Sequence, residues 1–410
     1  MSGRTRRIAL YSVAGVLVLL AGLWVVKERY IGAVAVPWTD GEVKSGPHDA
    51  ITPRLSVPEG FKISVYASGL PSARVLALDP RGRLLVSQIK EGKIAALADR
   101  DGDGRAEENT VLAEGLDNPH GLAFDCPQDD RVLPCRLYVA EHGRLGRYLY
   151  DVEKGSVSGY EKLVDLEASR TDRHTSRTLL FLPSPQEHVL LVSVGSSCNV
   201  CYEEDGQRGR IMAYDTKAGT LTEYAKGLRN AVFMEISPVD GRVFATEMGR
   251  DGLGDDTPPD ELNIVEKGKN YGWPVCYGKN IHDTAFDKNT YIRNPCMEPF
   301  EIPSFVDLQA HSAPLGLAFI PEEGWPEEYW YDALVALHGS WNRAEPVGYK
   351  IVRVALDARG RYQGTHDFIT GWLTKEGTKL GRPVDIKTFP GGVAYISDDA
   401  SGVIYRLLRH

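Results

Sequence analysis

A short apolar run that returns at a regular interval is the feature that most limits the fold of this chain. Six copies lie at residues 84–87, 137–140, 190–193, 243–246, 334–337 and 394–397. The first four copies begin 53 residues apart, and the last two follow at less regular distances. A step of about 40 to 50 residues per group of short strands is typical of β-propellers and not of helical solenoids. Six copies therefore predict an all-β, six-bladed β-propeller.

Each of these runs is preceded by a second apolar run, and turn-forming residues such as those at 79–83 separate the two. This pairing predicts two neighbouring antiparallel strands in every blade. In such a pair, the start of the first strand and the end of the second lie at the same end of the sheet. Polar residues at these positions should therefore surround one mouth of the central channel. They include His120, His174, Arg229, Asn230, Arg250, His338, Arg343 and Arg382, with Glu141, Glu247, Asp398 and Asp399 as the acidic members.

The predicted mouth is rich in cations, although the whole chain carries a formal net charge of −9. This contrast favours a small anionic ligand and argues against a nucleic-acid partner, which requires a broad basic surface. Ion pairs between arginine and aspartate at the loop ends are the alternative interpretation. The sequence has no glycine fingerprint between a strand and a helix, which argues against NAD as a cofactor.

Residues 1–30 differ from the rest of the chain. Three arginines precede an uncharged apolar run at residues 8–26, which is long enough to cross a bilayer as an N-terminal transmembrane helix. The basic flank should remain in the cytoplasm, which places everything after Lys27 on the far side. We therefore expect a single-pass protein of the bacterial inner membrane with its propeller in the periplasm. A cleaved signal peptide is the alternative, since residues 33–35 match a small-x-small cleavage pattern.

The remaining segments divide into a linker and the propeller. Residues 31–54 contain three prolines and are interpreted as the linker, which leaves 55–410 for the propeller. The segment at about 268–312 interrupts the repeat, carries aromatic residues and is interpreted as an insertion beside the mouth. Residues 99–104 resemble the start of a calcium loop, but Thr110 at the twelfth position excludes an EF-hand. A solvated turn is the alternative there to a structural Ca²⁺ site.

The cysteines are even in number and fall into three near pairs. The pairs are Cys126 with Cys135, Cys198 with Cys201, and Cys276 with Cys296. An even set in an exported domain predicts disulfides. Zinc at the second pair would require two further soft ligands nearby, and the sequence supplies no obvious ones.

Four motifs resemble the soluble glucose/sorbosone dehydrogenases, six-bladed propellers that use pyrroloquinoline quinone (PQQ), and most nearly the sorbosone dehydrogenase-like branch. The resemblance runs from about Pro58 to the C-terminus. The motifs are Asn-Pro-His-Gly-Leu-Ala-Phe at 118–124, Gly-Leu-Arg-Asn at 227–230, Asp-Glu-Leu-Asn at 260–263 followed by Lys-Asn-Tyr-Gly-Trp-Pro at 269–274, and Gly-Ser-Trp-Asn-Arg at 339–343. Leu-Arg-Asn and Asn-Tyr-Gly-Trp-Pro together are specific, whereas Gly-Leu-Ala-Phe alone fits any propeller.

The resemblance implies a catalytic role for two residues. In the family, a histidine ahead of the third blade's inner strand removes the substrate hydroxyl proton while hydride passes to the quinone, and His174 occupies this place. An imidazole suits this step because its ordinary pKa is near neutrality. Arg229 matches an arginine whose fixed guanidinium stabilises the negative charge that develops on a quinone oxygen. A histidine that only completes a loop hydrogen bond is the alternative for His174.

The resemblance also implies a cofactor and a metal. Arg229 and Asn230 match a pair that lies beside PQQ in the family. Gly249 and Arg250 match the positions whose backbone carbonyls bind the Ca²⁺ that holds and polarises the cofactor, and carbonyl oxygens suit this hard cation. An arginine beside a cation is unexpected unless its side chain turns towards a carboxylate of the cofactor.

Three further positions are implied to contact PQQ, and they depart in part from the family. Arg343 takes the place of a family lysine, and Arg382 matches one of two arginines near the C-terminus. The second of those arginines is replaced here by Val384. His120 replaces a polar residue on the cofactor side. These departures put glucose itself in doubt as the substrate but retain enough cations for a tricarboxylate.

The sequence thus predicts PQQ-dependent oxidation of a sugar, a sugar aldehyde or a related alcohol, with electrons passed to a respiratory acceptor. Two other classes stay open. A Ca²⁺-dependent propeller lactonase or other hydrolase would need converging carboxylates, which Glu141, Glu247 and Asp398 would have to supply. A binding propeller that no longer holds a cofactor is the third class, and the loss at Val384 favours it.

Overall fold

The computed structural model describes residues 52–126, 135–168, 174–297, 299 and 301–410. The predicted transmembrane helix at 8–26 and nearly all of the predicted linker lie outside these residues. Within the described ranges, no helix is long and apolar enough to cross a membrane. In the described residues the helical structure consists of two short 3₁₀ turns, at Thr52–Arg54 and Glu327–Tyr329.

The described chain folds into six four-stranded antiparallel sheets and one two-stranded hairpin, which confirms the predicted six-bladed propeller. The first three blades consist of β2 (Ala73–Leu78), β3 (Leu84–Gln88), β4 (Lys93–Ala98) and β5 (Glu108–Ala113) in blade one; β6 (Gly121–Asp125), β7 (Cys135–Glu141), β8 (Arg144–Asp151) and β9 (Ser156–Asp165) in blade two; and β10 (Leu179–Phe181), β11 (Val189–Val194), β12 (Arg210–Asp215) and β13 (Thr220–Lys226) in blade three. Blade four consists of β14 (Ala231–Ile236), β15 (Val243–Glu247), β16 (Asp260–Val265) and β19 (Val306–Leu308), and the separate hairpin consists of β17 (Cys276–Tyr277) and β18 (Ile281–His282). The last two blades consist of β20 (Pro314–Phe319), β21 (Ala333–Leu337), β22 (Lys350–Leu356) and β23 (Tyr362–Ile369) in blade five, and β24 (Pro383–Phe389), β25 (Val393–Asp398), β26 (Val403–Arg409) and the first strand of the chain, β1 (Phe61–Ala67), in blade six.

Strand β1 closes the ring. It is the outer strand of blade six and pairs antiparallel with β26, with Phe61 opposite Arg409 and Val65 opposite Tyr405. The two ends of the propeller domain are thereby joined within one sheet. Closure of this kind protects the ring from opening at a free blade edge.

The hydrophobic core consists of six clusters, one between each pair of adjacent blades. Leu85 and Ile94 of blade one, for example, share a cluster with Leu137 and Val139 of blade two. Because each blade is covered on both faces, strands β3, β15 and β21 are buried along their whole length. A strand that is buried on both faces has a nearly continuous apolar sequence. These apolar runs form the repeat seen in the sequence.

The innermost strands β2, β6, β10, β14, β20 and β24 contact their neighbours around the central channel. They approach closely where glycine replaces a side chain. A Cβ on Gly121 would lie 2.3 Å from the carbonyl oxygen of Arg177, and one on Gly316 would lie 2.4 Å from that of Val384. The Gly-Leu-Ala motif of β6 and β20 therefore has a packing reason.

The segment that interrupts the sequence repeat belongs to blade four. Hairpin β17–β18 follows β16, and the chain then returns to add β19 as the fourth strand of that blade. A disulfide joins Cys276 in the hairpin to Cys296. The other two predicted pairs, Cys126 with Cys135 and Cys198 with Cys201, are also disulfides, and the described residues contain no free cysteine.

Candidate active site

Strand register brings the predicted mouth residues to one end of the blades. Ala231 at the start of β14 lies opposite Glu247 at the end of β15, and Pro383 at the start of β24 lies opposite Asp398 at the end of β25. A residue that precedes an inner strand therefore sits beside the residues that follow the second strand. This is the arrangement that the antiparallel pairing predicts.

His174 stands ahead of β10 with its backbone in the left-handed region, at φ 52°. Its Nδ1 lies 2.9 Å from the carbonyl oxygen and 3.0 Å from Oγ of Ser196. The Ser196 hydroxyl donates in turn to the Cys198 carbonyl at 2.7 Å. Because a carbonyl oxygen only accepts hydrogen bonds, Nδ1 carries the proton in this contact, and Nε2 carries the lone pair that a general base requires.

The loop that carries His174 is held from beneath by a buried arginine. Arg177 is fully buried and donates through Nη1 to the His174 carbonyl at 2.8 Å. Burial lowers the pKa of Arg177 to about 9, and the neighbouring Arg208 contributes to this shift. Arg208 donates to the Gly195 carbonyl at 3.2 Å. These two cations fix the backbone around the histidine.

Gly195 brings His174 and Asn230 together. A Cβ at this glycine would lie 2.6 Å from Cβ of His174 and 2.5 Å from Oδ1 of Asn230. The two side chains therefore flank one backbone position, and any larger residue there would separate them. Asn230 is itself held by its backbone N–H, which donates to Glu247 Oε1 at 2.9 Å.

Arg229 is buried and its guanidinium is fixed by neighbours from two loops. Nε and Nη2 donate to the carbonyl oxygen and to Oδ1 of Asn199, both at 2.9 Å. Nη2 also lies 3.2 Å from Oδ2 of Asp251, and Nη1 lies 3.3 Å from the Met248 carbonyl. A guanidinium held in this way keeps one orientation, as electrostatic stabilisation of a developing charge requires.

The predicted metal residues Gly249 and Arg250 lie at the end of β15. The Gly249 N–H donates to Asp260 Oδ1 at 2.8 Å, and a Cβ there would lie 2.6 Å from the Pro259 carbonyl, which explains the glycine. The Arg250 side chain turns towards the hairpin, where Nε lies 3.0 Å from the buried Asp283. The charge of Arg250 is thus directed at a carboxylate of the protein, so a cation at this position would depend on backbone carbonyls.

A pocket that is open to solvent lies beside these residues. Its walls include Arg229, Glu247, Gly249, Glu261 and Trp273. Glu247 and Glu261 face each other in register and are buried. Burial raises the pKa of Glu261 to about 7, and burial together with Glu261 raises the pKa of Glu247 well above its usual value. The pair therefore retains a proton near neutral pH.

The opposite side of the mouth carries a cluster of charges. Asp399 accepts from Arg74 Nη1 at 2.7 Å and lies 2.9 Å from His338 Nε2. Arg382 donates to the Gly339 carbonyl at 2.9 Å and to the His338 carbonyl at 3.3 Å. Two arginines and one carboxylate leave a net positive charge when His338 is neutral.

The pKa values of this cluster follow from burial and from the arginines. Burial lowers the pKa of His338 to about 4, and Arg382 and Arg74 add to the effect against the opposing influence of Asp399. Burial raises the pKa of Asp399, but the contacts with His338, Arg74 and Arg382 more than offset it and hold this pKa below its usual range. Near neutral pH the cluster therefore contains an ionised aspartate and an uncharged histidine.

His120 lies deep in the channel, 1% exposed. Its Nδ1 is 3.4 Å from Oγ1 of Thr178, and its ring packs beside Phe233. Burial lowers the pKa of His120 well below its usual value, and the nearby Arg74 and Arg177 contribute. The histidine is therefore neutral at physiological pH.

Arg343 is placed differently from the other predicted rim cations. Its guanidinium lies 3.1 Å from Asp256 Oδ1, is hydrogen-bonded to the Asp255 carbonyl and lies 3.4 Å from the Ala310 carbonyl. These contacts attach it to the loop between β15 and β16. The structure thus gathers His120, His174, Arg229, Asn230 and Arg382 around the channel but directs Arg343 at a loop.

The carboxylates that a metal-dependent hydrolase would need do not converge. Glu141 accepts from both Arg144 and Tyr160, and Asp398 accepts from the Arg382 and Ser401 amides. In the described part of the chain, the groups of three or more potential metal ligands consist of other residues. One is Asp99 with Asp101, Asp103 and Glu107, and the other is Glu203 with Cys198 and Cys201, whose sulfurs are joined in a disulfide.

Sequence reasoning overlooks Arg74, Asn199 and Asp251. Arg74 is the second residue of β2, where it stands alone among apolar residues, and a charge inside an inner strand is the signal that would have identified it. Asn199 lies between two paired cysteines and Asp251 follows the predicted metal residues. Their importance depends on contacts between blades, which a strand pattern does not contain.

A six-bladed propeller whose blades all contribute to one cationic mouth is a scaffold for binding a small anionic group. Residues 55–410 match the profile of the TrAA12-like family, and the chain belongs to this family. The predicted membership among PQQ-type sugar dehydrogenases is thereby confirmed at the level of the family, while the sorbosone dehydrogenase-like branch stays a prediction.

Named relatives agree with this assignment. The chain is 27% identical over 409 residues to a pyrroloquinoline quinone-dependent sugar dehydrogenase of Hypocrea jecorina, covering 85% of this chain and 88% of the relative. It is 23% identical to a pyrroloquinoline quinone-dependent pyranose dehydrogenase of Coprinopsis cinerea, over 87% of this chain and 55% of the relative. A calcium structure of the Trichoderma reesei family AA12 enzyme superposes with a TM-score of 0.72 at 24% identity, covering 88% and 98% of the two chains, which establishes the shared fold.

Proposed function

We propose that this protein is a quinoprotein sugar dehydrogenase that binds PQQ in the mouth of its channel. The observation that carries the proposal is the pair formed by His174, whose Nδ1 contact with Ser196 places the basic lone pair on Nε2, and Arg229, whose guanidinium is fixed in one orientation. The relatives named above support the same chemistry. A lone histidine would be a weak argument, but here a base and a fixed cation share one mouth.

The described residues fit a small anionic cofactor. Nε of Arg74 is buried and has no hydrogen-bond partner among the described residues. A buried donor without a partner is costly, so groups of this kind point to an acceptor that completes the site. In this proposal Arg74 and Arg382 pair with carboxylates of PQQ, and charge-assisted contacts of this type are among the stronger hydrogen bonds.

PQQ, when bound, supplies a two-electron acceptor for the hydride of the substrate. The protein's own residues then have three tasks. His174 accepts the substrate hydroxyl proton at Nε2, Arg229 stabilises negative charge, and Asn230 supports the same side of the mouth. The carbonyls of Gly249 and Arg250 are the proposed ligands for Ca²⁺, since the Arg250 side chain is directed away at Asp283.

We extend the proposal to substrate, acceptor and location. The substrate is a sugar, a sugar aldehyde or a related alcohol, including the sorbosone type, and the electrons pass to a respiratory acceptor. The protein is held in the inner membrane through residues 8–26, with the propeller in the periplasm. Three disulfides in the described residues support an oxidising compartment.

Titration of the detergent-solubilised full-length chain with PQQ and Ca²⁺ tests the proposal. We expect calorimetric binding that a chelator weakens, followed by bleaching of the quinone absorbance with at least one aldose, pyranose, sorbosone or simple alcohol. Binding without bleaching by any substrate would support a non-catalytic binding propeller. No binding, together with Ca²⁺-dependent opening of a lactone, would replace the proposal with a hydrolase.

A further inference from the structure

The loop at residues 196–201 contacts both proposed catalytic residues. On one side, the carbonyl and Oγ of Ser196 lie within 3.0 Å of His174 Nδ1, and the Ser196 hydroxyl donates to the Cys198 carbonyl. On the other side, Asn199 receives two hydrogen bonds from Arg229. A single short loop therefore orients the base and the cation together.

Asn199 is the centre of this arrangement. Its carbonyl oxygen accepts from Arg229 Nε at 2.9 Å and from the indole of Trp273 at 3.4 Å. Its side-chain Oδ1 accepts from Arg229 Nη2 at 2.9 Å and from the Asp251 N–H at 2.8 Å, and its Nδ2 donates to the Asp251 carbonyl at 3.0 Å. The main chain and the side chain of one residue thus hold the same guanidinium.

The disulfide between Cys198 and Cys201 closes this loop around Asn199. A covalent link over so few residues removes most of the alternative backbone conformations of the two residues between the cysteines. Glu203 adds a further restraint, because its carboxylate accepts from the N–H and the hydroxyl of Ser197 at 2.6 and 2.7 Å. Without the bond, the Asn199 carbonyl would no longer be confined to the direction that Arg229 requires.

We propose that the Cys198–Cys201 loop is a positioning clamp for His174 and Arg229, and that reduction of this disulfide releases both residues and lowers turnover. The consequence for turnover rests on the proposed function. A dithiol reductant would deliver two electrons and two protons to the Cys198–Cys201 bond, which yields two thiols while the reductant becomes a disulfide. Both cysteines are partly exposed, so the bond is accessible to such a reagent.

The other disulfides provide a matched control. Cys126 and Cys135 join the end of β6 to the start of β7, which is the end of blade two away from the mouth. Cys126 is exposed, so the same reductant reaches this bond as well. Cys276 and Cys296 are buried and are protected from it. A Cys126→Ser/Cys135→Ser variant therefore removes the other accessible disulfide without touching the loop.

The first measurement needs no cofactor. The Asp251 N–H donates to Asn199 Oδ1, so amide hydrogen exchange of a peptide covering residues 249–256 reports the clamp directly. We expect faster exchange in this peptide for Cys198→Ser/Cys201→Ser, for Asn199→Ala and for the reduced wild-type chain, but not for Cys126→Ser/Cys135→Ser. Unchanged exchange in the first three samples would overturn the clamp whether or not the protein oxidises sugars.

The second measurement uses the PQQ-loaded full-length chain. We expect kcat to fall about tenfold or more in Cys198→Ser/Cys201→Ser and Asn199→Ala, with KM changed much less, because the loop orients His174 and Arg229 and not the substrate. Reductant should lower kcat of the wild type and of the Cys126→Ser/Cys135→Ser variant, and should leave Cys198→Ser/Cys201→Ser unaffected. Wild-type kcat in the latter variant would overturn the proposal. Faster exchange in a chain that binds no PQQ would support the clamp and overturn the proposed function instead.

Discussion

The two sides of the mouth are built from different chemistry. On blades three and four, His174 and Arg229 are held mainly by uncharged acceptors, the carbonyls and side chains of Ser196 and Asn199. On blades one, five and six, Arg74 and an uncharged His338 contact the carboxylate of Asp399, and Arg382 donates to the His338 carbonyl. The first side fixes direction, whereas the second side concentrates positive charge.

This difference separates two tasks that a cofactor enzyme must perform. Orientation of a base and of a charge-stabilising group depends on rigid neighbours, and uncharged hydrogen bonds give rigidity without altering the charge of the site. Capture of a polyanion depends on uncompensated cations in a concave surface. We therefore expect substitutions on blades three and four to change the rate, and substitutions on blades one and six to change cofactor affinity.

The largest expected effect is on the orienting side. His174→Ala should lower kcat about a hundredfold or more while PQQ affinity stays nearly unchanged, because the base is lost but no cofactor contact is. Stopped-flow bleaching of the quinone together with calorimetry measures both quantities. His366→Ala, at an exposed position of β23, is the control for loss of a histidine. Near-full activity of the His174 variant would transfer the base to another residue, with His120 the next to test.

The charged side should respond in affinity. Arg382→Ala and Arg74→Ala should each weaken PQQ binding about tenfold or more, since each removes a charge-assisted contact. The rate at saturating cofactor should change less than the affinity does. Calorimetric titration at constant ionic strength is the measurement. Arg361→Ala serves as the control, because this exposed arginine pairs with Asp357 on the rim away from the mouth.

Two outcomes for Arg74→Ala would contradict this division of tasks between the two sides of the mouth. If Arg74→Ala lowered kcat as strongly as His174→Ala and left affinity intact, the charged cluster would belong to the chemical step. If Arg74→Ala changed neither kcat nor PQQ affinity, a water molecule would have to accept the hydrogen bond of the unpartnered Arg74 Nε. Arg382 would then be the arginine that attracts PQQ on that side of the mouth.

The pH dependence of stability reports the protonation state of His338 on the charged side of the mouth. The pKa of His338 is about 4 in the folded protein, against about 6.5 in an unfolded chain. Between these values the unfolded chain binds more protons, so stability should fall as pH drops from 6.5 to 4 and gain no further slope from this group below that. Urea unfolding of the wild type and of His338→Gln between pH 4 and pH 6.5 isolates the contribution of His338 to the free energy of unfolding. The two proteins should differ by nearly one proton taken up on unfolding. Equal slopes in both proteins would mean that His338 is not held neutral.

The fold can be predicted because each propeller blade produces a local pattern of apolar residues in the sequence. Strands buried on both faces, such as β3 and β15, must be continuous apolar runs. The sequence does not predict β19. Its three residues pair with β16, but about forty residues, including the hairpin, separate the two strands and do not follow the strand repeat. Local sequence does not encode such a return.

The site was predictable only to the extent that strand ends identify it. His174, Arg229 and Asn230 follow from antiparallel geometry, whereas Arg74 lies inside a strand and meets Asp399 across 325 positions of chain. The contact between Asn199 and Arg229 joins blade three to blade four. Partners of this kind depend on how neighbouring blades are rotated, and period and composition carry no information on that rotation.

The smallest expected effect concerns Arg343. Family resemblance assigns it to PQQ, but its guanidinium is already bonded to the Asp255 carbonyl and lies 3.1 Å from Asp256 Oδ1. We therefore expect Arg343→Ala to change PQQ affinity less than about threefold, because new contacts to a cofactor would require breaking these. Faster amide exchange in residues 251–257 should reveal the freed loop. A loss of affinity equal to that of Arg382→Ala would show that this loop rearranges when the cofactor binds, and the charged side of the mouth would then include Arg343.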